Sequence, residues 1–501
     1  VPGERLPGLD AAFLALETET TLLHVTGVLV LDAAGVPAEA AYRRIRSRIA
    51  ERLDSVPPFR RRLQSAPFGL DHPTLVETAV DLDYHVRRAG LPRPGGRAQL
   101  EALAADVASR PLDRRRPLWE MHVVDGLADG GVAVVAKIHH AIVDGVAGAE
   151  LLAMFLDLEP NPRPAAVTPI TPIDRGRRPL RGEDPAGNAD EADGSGAWLD
   201  LEPWMQLLGS MPGRLDDTVR TLGRTLHRLA TVAPERRRAP NAAPLPFSAP
   251  KTPLNRSVSS YRRVAFADLD MDDVRRVRRV LGGTVNDVVL STVTGSLRGW
   301  LATRDQVPDR PLVAMVPVSV RAPAERGSLG NRLSALFVHL PVGLTDPAAR
   351  LAAVRSSAAA AKELDADDRA RLLGGWAEWL VPTVAARASR LATDRRLLDR
   401  VRPPFNLVVS NVPGPSEPLW LAGLRLEAMY PLGPVTEGAA VNVTVVSYID
   451  RIHVGIQTCW DAVPDVEVLV RGVEDGLAEL VRTADRRDRP VPWWHAEVLP
   501  A

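Results

Sequence analysis

The run Val132-Ala-Val-Val-Ala-Lys-Ile138 is almost continuously apolar and β-branched, the pattern of a strand covered on both faces. A strand of that kind needs a packed layer above it and another below, as in α/β folds. The strand ends on His139 and His140, and Asp144 and Gly145 follow. Leu151, Leu152, Phe155 and Leu156 give the stretch Val146–Leu158 a helical reading, so the histidines fall on a strand-to-helix turn. Polar, titratable side chains where a buried strand ends are where such folds tend to hold their chemistry.

Imidazole is the side chain best suited to take a proton from a hydroxyl near neutral pH. Neighbouring residues leaving a strand point to opposite sides, so one histidine can face a cavity while the other packs inward. Asp144 could orient a ring, or bind an arginine and fix the turn, and Gly145 permits backbone angles that a Cβ would forbid. Two plainer alternatives stand beside catalysis. A metal would need further ligands, and no zinc or iron spacing lies nearby, so no metal is expected. The pair could also be purely structural. Use of His140 as a general base accounts for both the residue type and its position.

The chain has 501 residues, too many for one core, which predicts two domains with an inserted segment. The formal net charge is zero, which argues against a nucleic-acid partner held by bulk electrostatics. Cys459 is the sole cysteine; it excludes an intramolecular disulfide framework and reads as a packed thiol in a strand. No apolar run approaches the roughly 18 residues needed to cross a bilayer, and no signal peptide is recognisable, so a cytoplasmic protein is expected.

Strand and helix patterns alternate through residues 1–160, the first expected domain. Ala40 to Leu53 is an amphipathic helix ended by Pro57-Pro58, and Trp119–Val124 pairs with Val132–Ile138 over the Asp129-Gly130-Gly131 turn. Residues 161–254 read as a loose linker interrupted by a helix near 199–232, with Trp204, Arg214, Arg220, Arg224 and Arg228 along it. That helix either packs across the two domains or lies on a lipid surface. Residues 255–501 form the second expected domain. There Asp270–Leu281 is a helix closed by Gly282-Gly283, and Thr284 caps another to about Thr303 with Asp287 at the capping-box position. Strands are expected at Leu312–Val320, Ala335–Val342, Phe405–Ser410, Ala439–Ile449 and Ile452–Trp460, with helices near 346–363, 367–393 and 464–484.

The segment His139-His140-Ala-Ile-Val-Asp144-Gly145 resembles the HHxxxDG motif of the CoA-dependent acyltransferase superfamily. Nearly end to end, the chain resembles the bacterial wax ester synthase/diacylglycerol acyltransferase family. The resemblance runs through Leu9-Asp10-Ala-Ala-Phe13-Leu14, His24-Val25, Pro111-Leu112-Asp113 and Arg116-Pro117-Leu118-Trp119-Glu120. It continues through Thr252-Pro253-Leu254-Asn255, Val285-Asn286-Asp287-Val288, Val316-Pro317-Val318-Ser319-Val320-Arg321, Gly330-Asn331 and Asn406–Pro415. It implies two chloramphenicol-acetyltransferase-like lobes with an active-site tunnel between them. It implies an acyl-CoA-dependent O-acyltransferase making triacylglycerol, wax ester or both, with acyl-CoA as co-substrate and no bound cofactor. Diacylglycerol or a fatty alcohol would be the acceptor, met at a membrane or lipid-inclusion surface.

By the same resemblance His140 is the base in a direct transfer and His139 supports the turn, while Asp144 pairs with an arginine for which Arg60 is the matching position. Asn286 is a candidate oxyanion donor, and Asp287 has a capping role to set against chemistry. Trp119 shapes a channel or fills the core, and Ser410 and Asn411 end a strand facing the expected tunnel. Arg321 and Arg332 are possible holders of the CoA phosphates, since no Walker or Rossmann loop is present. The rivals are a condensation-type acyltransferase with another acceptor, and a non-catalytic lipid-surface protein on the same fold.

Overall fold

A computed structural model describes residues 4–65, 72–142, 155–160, 244, 248–319, 333–363 and 402–488. The chain divides into one unit of Val1–Pro162 with Ala239–Ala501 and a second of Arg163–Arg238. The second unit, and with it the helix expected near 199–232, lies outside the described residues, as do Asp144, Gly145, Arg321, Arg332 and the helix expected at 367–393.

The first lobe runs β1 (Glu4–Arg5), α1 (Gly8–Leu16), β2 (His24–Asp32), α2 (Ala38–Arg52), β3 (Arg61–Gln64), β4 (Thr74–Glu77), α3 (Leu82–His85), β5 (Val86–Gly90), α4 (Arg97–Ala108), β6 (Trp119–Asp125) and β7 (Val132–His139). The second runs β8 (Arg262–Asp270), α5 (Met271–Leu281), α6 (Val285–Ala302), β9 (Leu312–Ser319), β10 (Leu333–Leu340), α7 (Pro347–Lys362), β11 (Leu407–Val412), β12 (Trp420–Leu421), β13 (Leu424–Leu432), β14 (Val441–Tyr448), β15 (Arg451–Cys459) and α8 (Val466–Asp488). One six-stranded sheet has the order β12-β13-β2-β7-β6-β5, the other β10-β9-β11-β14-β15-β8, and β1-β4-β3 form a small third.

All eight residues of β7 are buried, because Val132, Val134 and Ile138 pack in one cluster with Ile45 and Ile49 of α2, and Ala133 and Val135 in another with Leu100 and Ala104 of α4. It pairs antiparallel with β2 and β6, His24 opposite His139 on one side and Trp119 opposite Ile138 on the other. The expected hairpin over residues 129–131 is therefore present. In the second lobe the local signals act as their chemistry dictates. Asp270 caps α5, Gly282 closes it at φ 81°, and the Thr284 hydroxyl and Asp287 carboxylate form a reciprocal capping box on α6. Leu254 and Val288 share a core with Val443 of β14 and Leu477 of α8.

Two features lay beyond the strand pattern. Residues 424–432 alternate weakly and were not expected as a strand, yet β13 leaves the second lobe and joins the first sheet, with Leu426 opposite Leu31 and Leu432 opposite Thr26. The first sheet thus takes strands from beyond residue 255. The helix expected through Leu158 also needs correction: Phe155–Leu158 are not helical. Asp157 instead bridges to Trp420 and is gripped by Arg48 and Arg52 of α2, the latter at 2.6 Å. An ion pair and a strand bridge outweigh helical periodicity there.

The lobes meet over α4. Leu100, Ala104 and Val107 pack in one cluster with Val28 and Val135 of the first sheet and Val264 and Phe266 of the second. At the rim Asp268 accepts from Arg97 (2.5 Å), His453 (2.7 Å) and Tyr430 (3.0 Å). Burial alone would raise the Asp268 carboxyl; the hydrogen bonds from His453 and Arg97 outweigh it and hold the group at about 2. The crossing of β13 over β15 depends on Gly455, where a Cβ would come within 2.0 Å of the Pro431 carbonyl oxygen. Gly455→Ala is expected to cost about 3 kcal/mol, because the clash is with backbone and two strands must part; a urea midpoint unchanged from wild type would contradict that.

Candidate active site

The histidine pair closes β7 and is held on three sides by backbone. The His139 N–H donates to the Leu118 carbonyl (3.0 Å), the His140 N–H to the Leu23 carbonyl (2.9 Å), and the Ile142 N–H back to the His139 carbonyl (3.1 Å). The expected alternation is present: His139 is buried and His140 is half-buried. The His140 ring stacks on Phe13 of α1, with centroids 4.4 Å apart and planes 24° apart.

His139 is built into a chain of polar contacts. The Ala141 N–H donates to its Nδ1 (3.0 Å), so in the neutral ring the proton is on Nε2, which lies 3.4 Å from Glu17 Oε2. Arg114 binds that carboxylate through Nε (3.1 Å) and Nη2, and also donates to the Leu14 carbonyl (2.9 Å). Burial would raise Glu17; the contact with His139 and the Arg114 guanidinium outweigh it and hold the carboxyl at about 2. In the sequence Phe13 figures only as part of a family element, without a site role, and Glu17 not at all. Sequence shows only that an aromatic and a carboxylate four residues on share one face at the end of an apolar helix, which does not report contact with residues 139–140.

Behind the pair lie two more titratable groups. Lys137 is fully buried, 2.7 Å from Glu120, and donates to the Val107 and Arg110 carbonyls at the end of α4 (2.9 Å each). His24 bonds the Ala108 carbonyl (2.9 Å), and burial, with the nearby Lys137 charge, pushes it down to about 3. The sign follows from proton binding: the unfolded chain takes up a proton near 6.5 that the folded one refuses, so stability falls as pH drops from 6.5 towards 3. Going from pH 7 to 5 should cost about 2 kcal/mol from this group alone. Chemical denaturation at the two pH values should show a smaller loss in His24→Gln, and an equal loss would contradict it.

The other candidates divide. Trp119 is fully buried, its indole donating to the Phe59 carbonyl (2.9 Å) and its ring lying between Phe59 (4.8 Å) and His85 (4.4 Å). Arg60 contacts Asp54 (3.1 Å) and Glu77 (3.6 Å) among the described residues. Asp287 Oδ2 closes the α6 capping box, and its buried Oδ1 has no hydrogen-bond partner among the described residues. Asn286 is half-buried beside it in the first turn. Ser410 and Asn411, also half-buried, lie on β11 opposite Thr444 and Val445 of the second sheet. Two further motif asparagines are structural: Asn406 bonds Asn255 (2.7 Å) and the Pro250 carbonyl (2.8 Å), and Asn255 bonds the Gly438 carbonyl (2.7 Å). Cys459 is a buried free thiol accepting from the Ser259 N–H (3.3 Å). Among the described residues no cluster of three or more His, Cys, Asp or Glu could hold a metal ion.

Comparison with known proteins meets this geometry. The family model described as wax ester synthase/diacylglycerol acyltransferase catalytic domain matches residues 6–289, and its C-terminal domain matches residues 329–481. A Mycobacterium tuberculosis protein named as a diacylglycerol O-acyltransferase is 37% identical over 494 residues, covering 97% of this chain and 91% of its own. A second from that organism, with the same activity in its name, is 32% identical over 476 residues, covering 94% and 97%. Among solved structures, the wax ester synthase/diacylglycerol acyltransferase of Marinobacter aquaeolei VT8 superposes with a TM-score of 0.65 at 26% identity, covering 96% of this chain and 100% of that one. The first condensation domain of the calcium-dependent antibiotic synthetase shares the fold, with a TM-score of 0.55 at 15% identity and coverage of 98% and 97%. On the two domain matches and full-length relatives, the chain belongs to the wax ester synthase/diacylglycerol acyltransferase family of acyltransferases.

Proposed function

We propose that the chain transfers a long-chain acyl group from acyl-CoA to diacylglycerol, and to a long-chain alcohol as second acceptor, with His140 as general base. The observation that carries this is the half-buried His140 ring at the end of a fully buried strand, braced by backbone on both flanks and by Phe13. Diacylglycerol comes first because it is the acceptor in the relatives' names, and the alcohol second because the Marinobacter protein carries both activities in its name.

In this reading His140 takes the hydroxyl proton as the acceptor oxygen attacks the thioester carbonyl carbon. A C–O bond forms, the C–S bond breaks, and the departing thiolate takes the proton from the imidazolium. The products are an ester and free CoA, with no acyl-enzyme. Cys459 suits no acyl-carrier role, since its thiol is buried in the second sheet. Asp144 with Arg60 would brace the turn, and Asn286, Ser410 or Asn411 could donate to the developing oxyanion. The acceptor is met at a membrane or lipid-droplet surface; among the described residues no helix is long and apolar enough to cross a membrane.

The test is thiol release from palmitoyl-CoA with dioleoylglycerol or hexadecanol. Acceptor-dependent release, faster with dioleoylglycerol, is expected. Release with neither acceptor would remove the proposal, and release with hexadecanol alone would reverse the order of acceptors.

A further inference from the structure

α1 meets both rings of the histidine pair from positions one helical turn apart. Phe13 stacks on His140 at 4.4 Å, and Glu17, the residue that ends the helix, lies 3.4 Å from His139 Nε2. Side chains at i and i+4 emerge on the same side of a helix, so one short element reaches two neighbouring residues that point apart. Its own position is tied down by Arg114, from the loop leading into β6, which grips both Glu17 and the Leu14 carbonyl.

We propose that Glu17 is a positioning residue for acyl transfer: it acts through His139 to hold the turn that aims His140, while Phe13 holds the plane of the His140 ring. This rests on His140 being the base. The route is continuous in the structure. Glu17 is only 9% exposed at its side chain and Arg114 supplies its counter-charge, so it holds a fixed carboxylate 3.4 Å from His139 Nε2, an electrostatic contact rather than a hydrogen bond. That contact sets the His139 ring, whose Nδ1 then accepts the Ala141 N–H at 3.0 Å. His140 sits between these two anchored residues, with its own N–H on Leu23. A base displaced by about 1 Å can lose on the order of 10²-fold in rate, so a brace that never touches substrate can still control turnover. The carboxylate also offsets the Arg114 cation. Removing its charge leaves that cation uncompensated near the pair, which disfavours protonation of His140 and moves the acid limb of the rate profile to lower pH.

The experiment is steady-state thiol release from palmitoyl-CoA with dioleoylglycerol across pH. It compares wild type, Glu17→Gln, His139→Asn, the double variant and His140→Ala, each checked for a cooperative thermal transition. Glu17→Gln should lower kcat about tenfold with KM for palmitoyl-CoA within about twofold, and should displace the acid limb downwards. Added to His139→Asn, the same change should cost less than about twofold, because its route is already cut. A wild-type kcat and pH profile in Glu17→Gln would overturn the proposal, as would a full tenfold loss on top of His139→Asn. Undiminished turnover in His140→Ala would overturn the base itself, and the positioning role with it. If Glu17→Gln fails to fold, Glu17→Asp, which keeps the charge but withdraws it by one methylene, should give the same fall in kcat at constant KM; unchanged kcat there would equally overturn the role.

Discussion

A folded His140→Ala variant is expected to release thiol from palmitoyl-CoA about 10²–10⁴-fold more slowly than wild type, the range that general-base assistance contributes. The loss should fall on kcat, since the imidazole meets the proton in flight and adds little to ground-state binding. Stability should fall by only about 1 kcal/mol: the ring is half-buried, and among the described residues it loses its stacking on Phe13 while the backbone bond to Leu23 remains. That separation gives the measurement its force. Steady-state kinetics beside a thermal transition will distinguish a lost base from a lost fold, and near-wild-type turnover would rule out the mechanism.

The largest stability effect is expected at Lys137, one of three lysines in the chain. Its Nζ is fully buried, 2.7 Å from Glu120, and satisfies two carbonyls at the end of α4. Burial would raise Glu120, but His122 and Lys137 hold its carboxyl at about 2, while burial pushes the Lys137 ammonium below its usual range against the opposing pull of Glu120. Lys137→Met keeps the volume and removes the ammonium, leaving the buried Glu120 carboxylate with His122 alone and the Val107 and Arg110 carbonyls without their donor. Breaking a buried pair this way costs about 3–5 kcal/mol, whereas replacing both partners by apolar side chains can be nearly neutral. Lys137→Met should therefore show a much lower urea midpoint than wild type, and adding Glu120→Leu should recover part of it. A single variant as stable as wild type would mean the ammonium contributes nothing net.

How much of the site was legible follows from where its determinants lie in the chain. His139 and His140 were readable because strand and turn are contiguous: a run of β-branched residues fixes a buried strand, and its last residues fix the site's location. The capping box of α6 was readable for the same reason, since Thr284 and Asp287 are three residues apart and satisfy each other's backbone. Glu17 and Leu118, which meet the pair, and Arg114, which meets Glu17, were not readable as parts of the site, because each contact spans a long separation in sequence and no periodicity reports it. Lys137 was visible only as an interruption in an apolar run; that it closes α4 required α4 to be packed against the strand.

The same division holds for the fold. Periodicity and turn chemistry determined that this is a mixed α/β chain, where its strongest helices begin and end, and which strand carries the histidines, because each is decided by residues within a few positions of one another. Tertiary structure alone decided that β13 crosses into the first sheet, that Asp157 is pinned by α2 in place of a helical turn, and that α1 braces both histidines. Those outcomes depend on contacts between segments distant in sequence, which no local pattern of residues encodes.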